Sequence, residues 1–211
     1  MKGLLSKFLR IAVYAGPSGG HLFPAQAFSE NFRRQHPDCK IDLITSRKGA
    51  FFVGRMAPKV FDRVHYLPDF GFPVRFSLQT FKPFFLAPYL FISAWSYLIR
   101  WRPHLCVGFG SFVSFPGVLT AYFLNIPTLI HEQNKIPGKA TLWLAPYAGK
   151  IASSFDAMKI LKPSQKTCTV GLPLRTLIVE NERKTSLSQL SQKITLLVLG
   201  RSQGAHRLNE I

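Results

Sequence analysis

Acidic residues are scarce in this chain. Its 211 residues include 10 Asp+Glu against 27 Lys+Arg, for a formal net charge of +17. From Phe70 to His131 there is no acid, and Glu132 stands alone between Asp69 and Asp156. This argues against a highly solvated, acidic enzyme. Charge is also sparse overall, at 18% of residues, while 47% are hydrophobic. A disordered tail, which combines high charge with low hydrophobicity, is excluded. A chain both basic and apolar must set its positive charge against something. Nucleic acid, an anionic membrane surface and a polyphosphate substrate are the candidates.

Cysteine is equally sparse. Cys39, Cys106 and Cys168 are far apart and form no C-x-x-C pair. A zinc site or a thioredoxin-type dithiol has no support, and three reduced thiols in a cytosolic setting are expected. A secretory signal needs an uninterrupted apolar core. Lys7 and Arg10 interrupt the only candidate, and a glycine loop follows at once.

Long clean hydrophobic runs are also lacking. Pro83–Ile99 is uncharged but contains Pro88 and sits at the short limit of about 17–25 residues for a membrane span. Pro103–Ile130 is longer, but Gly108, Gly110, Pro116, Gly117, Asn125 and Pro127 punctuate it. The expectation is a helix near Phe84–Ile99 that is apolar all round. One side faces the core and the other can dip into a bilayer. Phe84, Phe85, Phe91 and Trp95 would enter the membrane, and Arg75, Lys82, Arg100 and Arg102 would meet anionic headgroups.

What is present alternates short β-type runs with helical ones. Strands are expected at Arg10–Ala15, Lys40–Thr45, Val60–Leu67, Leu105–Gly108, Pro127–His131, Lys150–Ser154, Thr167–Val170 and Ile194–Leu199. Helices are expected at His21–His36, with Pro24 in its first turn, and at Val113–Leu124 and Ala140–Ala148. The polar stretch Leu177–Gln192 reads as a linker. Such alternation predicts a parallel α/β sheet, with ligands bound outside the carboxyl ends of its strands. GPSGGH, GFGSF, HEQN and GRSQG all fall at that edge.

GPSGGH at Gly16–His21 and GRSQGAH at Gly200–His206 share one form, strand, glycine loop, helix. Glycines let the backbone approach a ligand, and the helix start offers N–H groups to an anion. Ser18 and Ser202 add hydroxyl donors, so a pyrophosphate is the natural ligand. Two copies about one domain apart suggest two similar domains. Neither loop is a P-loop, and neither is G-x-G-x-x-G. Both satisfy G-x-S-x-G, but the acid and histidine that a hydrolase needs do not follow in order. The basic residues form no recognition helix, so nucleic acid is not expected as a partner.

GPSGGHLFPAQA, VGFGSFVSFPGVLTA, IPTLIHEQNKIPGKA, VGLPLR and LLVLGRSQGAHRLNE, in that order, resemble the MurG family. These are the UDP-N-acetylglucosamine transferases acting on undecaprenyl-pyrophosphoryl-N-acetylmuramoyl-pentapeptide in peptidoglycan biosynthesis. The resemblance implies the α/β, Rossmann-like parallel sheet that forms the N-terminal domain of a GT-B glycosyltransferase fold. It implies an inverting transfer with no metal and no cofactor, on the cytoplasmic face of the bacterial inner membrane. UDP-N-acetylglucosamine, the undecaprenyl-pyrophosphate-linked acceptor and the anionic membrane surface are the implied partners.

Residue by residue, Ser18, Gly19 and Gly20 match the first pyrophosphate-contacting loop, and His21 matches a candidate general base. Asn134 matches a substrate-binding asparagine, with Glu132 and Gln133 organising its loop. Arg175 matches a donor-binding arginine, and Ser202 a donor pyrophosphate contact. Pro17, Phe112, Leu172 and Arg201 depart from the family's motifs. The implied layout is an acceptor- and membrane-binding domain over residues 1–175, a linker over 176–192, and the start of a donor domain over 193–211. A truncated transferase that cannot transfer sugar alone is thus expected, with one half of a split enzyme, its donor domain on a separate chain, as an alternative. A non-catalytic lipid-pyrophosphate-binding fragment is the other alternative.

Overall fold

The computed structural model describes residues 9–56, 59–69, 82–156 and 166–184. The expected strand at 194–199, Arg75 and Ser202 lie outside the described residues, as do the side chains of Lys82, Phe84 and Phe85. The chain divides into one compact unit, Met1–Thr176, and a second, Leu177–Ile211.

Seven parallel strands form the first unit's sheet. They are β1 (Arg10–Ala15), β2 (Lys40–Ser46), β3 (Arg63–Leu67), β4 (Leu105–Phe109), β5 (Thr128–Glu132), β6 (Lys150–Ser153) and β7 (Thr167–Thr169). Their order across the sheet is β3-β2-β1-β4-β5-β6-β7. The chain builds outward from β1 through β2 to β3, then returns to lay β4 on the other side of β1. β1 pairs with β2 from Arg10↔Lys40 and with β4 from Ile11↔Leu105. The sheet is therefore doubly wound, with its topological switch between β1 and β4.

The central strands are largely apolar on both faces because helices cover both. Along β1, Ile11, Val13 and Ala15 point into one core with Leu22 and Ala25 of helix α1 (Gly19–Gln35). Ala12 and Tyr14 point into the other, with Leu98 of α3 (Lys82–Trp101), Val118 of α4 (Ser111–Phe123) and Leu144 of α5 (Lys139–Leu144). A single-turn helix, α2 (Ala50–Val53), follows β2. Gly117 lets α4 lie directly on the sheet, since a Cβ there would sit 2.4 Å from the Tyr14 ring. α4 then ends in a left-handed cap. Asn125 takes φ +56°, and the Ile126 N–H closes onto the Ala121 carbonyl at 2.9 Å.

Helix α3 buries Leu90, Ala94 and Leu98 along one stripe. Tyr97 on its flank donates to the buried Asp42 carboxylate at 3.0 Å, and His65 approaches the same oxygen at 3.2 Å. Burial, with Asp42 beside it, pushes the Tyr97 phenol above its ordinary pKa. The opposite stripe of α3 exposes Tyr89, Ile92, Trp95 and Ile99. Phe91 lies between the two stripes, edge-on to Phe115 of α4. No described helix is long and apolar enough to cross a membrane.

Two local expectations change. α1 begins at Gly19, so Pro24 sits in the second turn rather than the first. Its missing N–H removes the helical bond to the Gly20 carbonyl. Residues expected as linker begin as helix α6 (Thr176–Lys184). The Glu, Arg and Lys that made TLIVENERK look like a spacer are also good helix formers.

Candidate functional site at the switch between β1 and β4

The polypeptide leaves β1 through Gly16, Pro17 and Ser18 and enters α1 at Gly19. Ser18 is the N-cap residue, with extended backbone at φ −90° and ψ 155°. Its carbonyl accepts from the His21 and Leu22 N–H groups at 3.0 and 2.9 Å. Its hydroxyl makes no capping hydrogen bond, and the first turn of α1 carries no acid. The helix start thus keeps its positive end and a hydroxyl beside it, which suits an anion.

The loop after β4 meets this one. Gly110 takes φ +74° and Ser111 φ +64°, two successive left-handed residues that turn the chain sharply into α4. A Cβ at Gly16 would lie 2.4 Å from Ser111 Cβ and 2.7 Å from His21 Cδ2. A Cβ at Gly110 would lie 3.1 Å from His21 Cε1. The half-buried His21 ring is therefore held between the two glycine backbones.

The third loop, HEQN, follows β5. Glu132 is buried and fully used. One oxygen accepts from the Asn134 backbone N–H and side-chain Nδ2, both at 2.9 Å. The other accepts from the Gly138 N–H at 3.0 Å and the Thr141 hydroxyl at 2.6 Å. Glu132 thus organises the loop, as its motif implies, and fixes Asn134 by one end of its amide. Gln133 does something different. Its amide reaches across to Nδ1 of His21, 112 residues away in sequence. The motif was expected to hold its own loop, and nothing in its local pattern signals this partner. The one available clue is alternation, which puts Gln133 on the same side as His131.

His131 is buried, with its ring against Phe109. Its Nε2 lies 3.4 Å from the Gly171 carbonyl and 3.5 Å from the Ser154 hydroxyl. Burial lowers its pKa below the ordinary histidine value, although the Gly171 carbonyl, the Gln133 amide and the Glu132 carboxylate pull the other way. Gly171, at φ +78°, opens the GLPLR segment. Arg175, in that segment, lays its guanidinium 4.4 Å from the centre of the Phe23 ring. A Cβ at Gly19 would touch the same ring at 2.9 Å. Next to it, the Thr176 N–H and hydroxyl donate to Glu30 of α1 at 3.2 and 3.3 Å.

Ser18, Gly19, Gly20, His21 and Arg175 are thus gathered around the start of α1, and Gln133 links the Asn134 loop to them. Phe112 lines an apolar pocket with Leu90, Phe91, Phe115 and Trp143, between α3, α4 and α5. Arg100 and Arg102 are exposed at the carboxyl end of α3.

A doubly wound parallel sheet with glycine loops and a helix start converging at its switch point is a Rossmann-like α/β domain, a fold that binds its ligands at that point. Residues 11–153 match the glycosyltransferase family 28 N-terminal domain, and the chain belongs to that family. The UDP-N-acetylglucosamine–N-acetylmuramyl-(pentapeptide) pyrophosphoryl-undecaprenol N-acetylglucosamine transferase of Carboxydothermus hydrogenoformans is 31% identical over 208 residues. Those residues are 96% of this chain and 56% of that protein. The Bacillus subtilis transferase of the same name is 30% identical, over 95% of this chain and 56% of its own length. The crystal structure of Acinetobacter baumannii MurG superposes with a TM-score of 0.67 at 26% identity, covering 97% of this chain and 55% of that one. The chain thus spans about half the length of the relatives it matches.

Proposed function

We propose that this chain forms the acceptor-binding side of an inverting transferase of peptidoglycan synthesis. It would pass N-acetylglucosamine from UDP-N-acetylglucosamine to undecaprenyl-pyrophosphoryl-N-acetylmuramoyl-pentapeptide. The observation that carries this reading is His21, held between Gly16 and Gly110 beside the uncapped start of α1. In this reading the acceptor pyrophosphate lies at Ser18, Gly19 and Gly20. His21 takes the proton from the acceptor 4-hydroxyl as its oxygen attacks the anomeric carbon. The bond to UDP breaks, UDP leaves, and the new linkage is β. Asn134 orients a sugar, and the helix start with Arg175 stabilises phosphate charge. Ser202, outside the described residues, is assigned to the donor pyrophosphate on its motif.

The exposed stripe of α3, with Arg100 and Arg102 at its end, would rest on the anionic cytoplasmic face of the inner membrane. Because the matched relatives are nearly twice as long, a donor domain supplied by further chain or by a separate chain belongs to this reading. A non-catalytic lipid-pyrophosphate binder is the second reading, favoured by the uncapped, acid-free start of α1, which suits an anion without any donor half.

The test measures binding of the lipid acceptor in detergent micelles, then sugar transfer with a relative's donor domain added. Binding that weakens in Ser18→Ala is expected, as is transfer that falls about 100-fold or more in His21→Ala. Failure to bind acceptor would overturn the proposal. Full-rate transfer by His21→Ala would remove the base from it. Acceptor binding without transfer under any pairing would favour the binder, and transfer by this chain alone would refute the need for a donor half.

A further inference from the structure

Hydrogen-bond accounting around β5 leaves two orphans. His131 Nδ1 and Gln133 Oε1 are both buried without a partner when the Gln133 amide nitrogen faces His21. The two residues leave the strand on the same side, and the Gln133 amide faces the His131 ring as well as that of His21. The two ends of a side-chain amide are nearly isosteric, so the network decides which end goes where.

His131 Nε2 sits within reach of the Gly171 carbonyl, which can only accept. The Ser154 hydroxyl, which donates to that carbonyl at 3.4 Å, offers Nε2 only a lone pair. Nε2 is therefore the protonated nitrogen of His131. Burial keeps the ring neutral, so Nδ1 carries a lone pair and needs a donor. Among the described residues, the Gln133 amide is the group in place to supply one.

We propose that Gln133 is the positioning residue of His21. Its amide is turned so that Nε2 donates to His131 Nδ1 and Oε1 accepts from the Nδ1–H of His21, which makes Nε2 the basic nitrogen of His21. One rotation of the amide satisfies both orphans. It also sets the His21 tautomer from a buried histidine on the far side. The chain Gly171 carbonyl, His131, Gln133, His21 then runs from the GLPLR segment to the start of α1. This deepens the reading of His21 as a base, but the tautomers stand or fall independently of it.

The experiment is long-range proton–nitrogen correlation of the imidazoles in the nitrogen-15-labelled chain near neutral pH. His21→Gln and His131→Gln variants assign the signals. His21 is expected as the Nδ1–H tautomer and His131 as Nε2–H. Gln133→Leu should return His21 towards the Nε2–H form that free histidine side chains prefer. Gln133→Glu, whose carboxylate still accepts, should keep Nδ1–H. Where transfer is measured, Gln133→Leu should lower kcat on the order of 100-fold with little change in KM.

A wild-type His21 in the Nε2–H form overturns the proposal, as does a tautomer unmoved by Gln133→Leu. If Gln133→Leu fails to fold, the wild-type and Gln133→Glu spectra decide. Correct tautomers with transfer indifferent to His21 would sink the proposed function and leave this assignment standing.

Discussion

Gly16, in the loop after β1, and Gly20, in the first turn of α1, lie four residues apart and face opposite constraints. Gly16 is buried where the loops after β1 and β4 touch, and any Cβ there meets Ser111 and His21 well inside contact distance. Neither neighbour is the loose end of a flexible chain. Ser111 is held at φ +64° and His21 is gripped by Gly110 and Gln133. At Gly20 a Cβ would meet only the Ser18 hydroxyl, at 3.9 Å. Gly16→Ala should therefore cost about 1–3 kcal/mol of stability through overpacking, and should weaken acceptor binding. Gly20→Ala should leave stability within about 0.5 kcal/mol, since an exposed substitution away from special geometry rarely does more. Urea unfolding midpoints of the two variants check this. Equal midpoints would show that the loops part easily and that the close approach has no structural consequence.

Among the elements, α3 carries the clearest division of labour. Leu90, Ala94 and Leu98 pack on the sheet, and Tyr97 ties the helix to Asp42. Tyr89, Ile92, Trp95 and Ile99 are left in solvent, Ile92 at 68% exposure. An apolar stripe on the outside of a folded helix carries no folding load, so it can be changed without unfolding the domain. Ile92→Glu with Trp95→Glu should abolish flotation of the protein with anionic liposomes and leave its unfolding midpoint in place. Retained flotation would remove α3 from the membrane reading. Leu98→Ala provides the contrast, because truncating a buried leucine costs about 2–5 kcal/mol wherever the membrane lies.

On the scale of the whole molecule, cationic residues outnumber acids, for a net charge of +17. Among the described residues, ion pairs join Asp62 to Arg33 and Lys40. Burial works against the Asp62 carboxylate, but the Ile41 N–H, Arg33 and Lys40 outweigh it and hold the pKa below the ordinary value. The surplus cations are left to attract an external anion. Liposome binding should therefore be stronger on anionic than on neutral vesicles and should weaken as salt rises. The screening length shrinks from about 10 Å at 0.1 M to about 3 Å at 1 M. Binding that ignores both lipid charge and salt would mean that the apolar stripe acts alone.

The parallel sheet, the positions of its described strands to within a few residues and the gathering of glycine loops at one edge were legible in the sequence. Each is written locally, in alternating apolar runs and in glycines placed where a strand turns into a helix. Pro24 falls one turn later than expected because helix starts are locally ambiguous, and the stretch read as linker begins as a helix. The strand order, with its switch between β1 and β4, was not legible, because parallel pairing joins segments far apart in the chain. The same holds for the site. The sequence by itself singled out the candidates for the proposed chemistry, Ser18 by its place in a glycine loop before a helix, and His21, Asn134 and Arg175 by resemblance to the family's motifs. Only the tertiary structure decided that Gly110 and Gln133 both reach His21. Those two contacts cross about 90 and 112 residues and form only when separate strands end side by side.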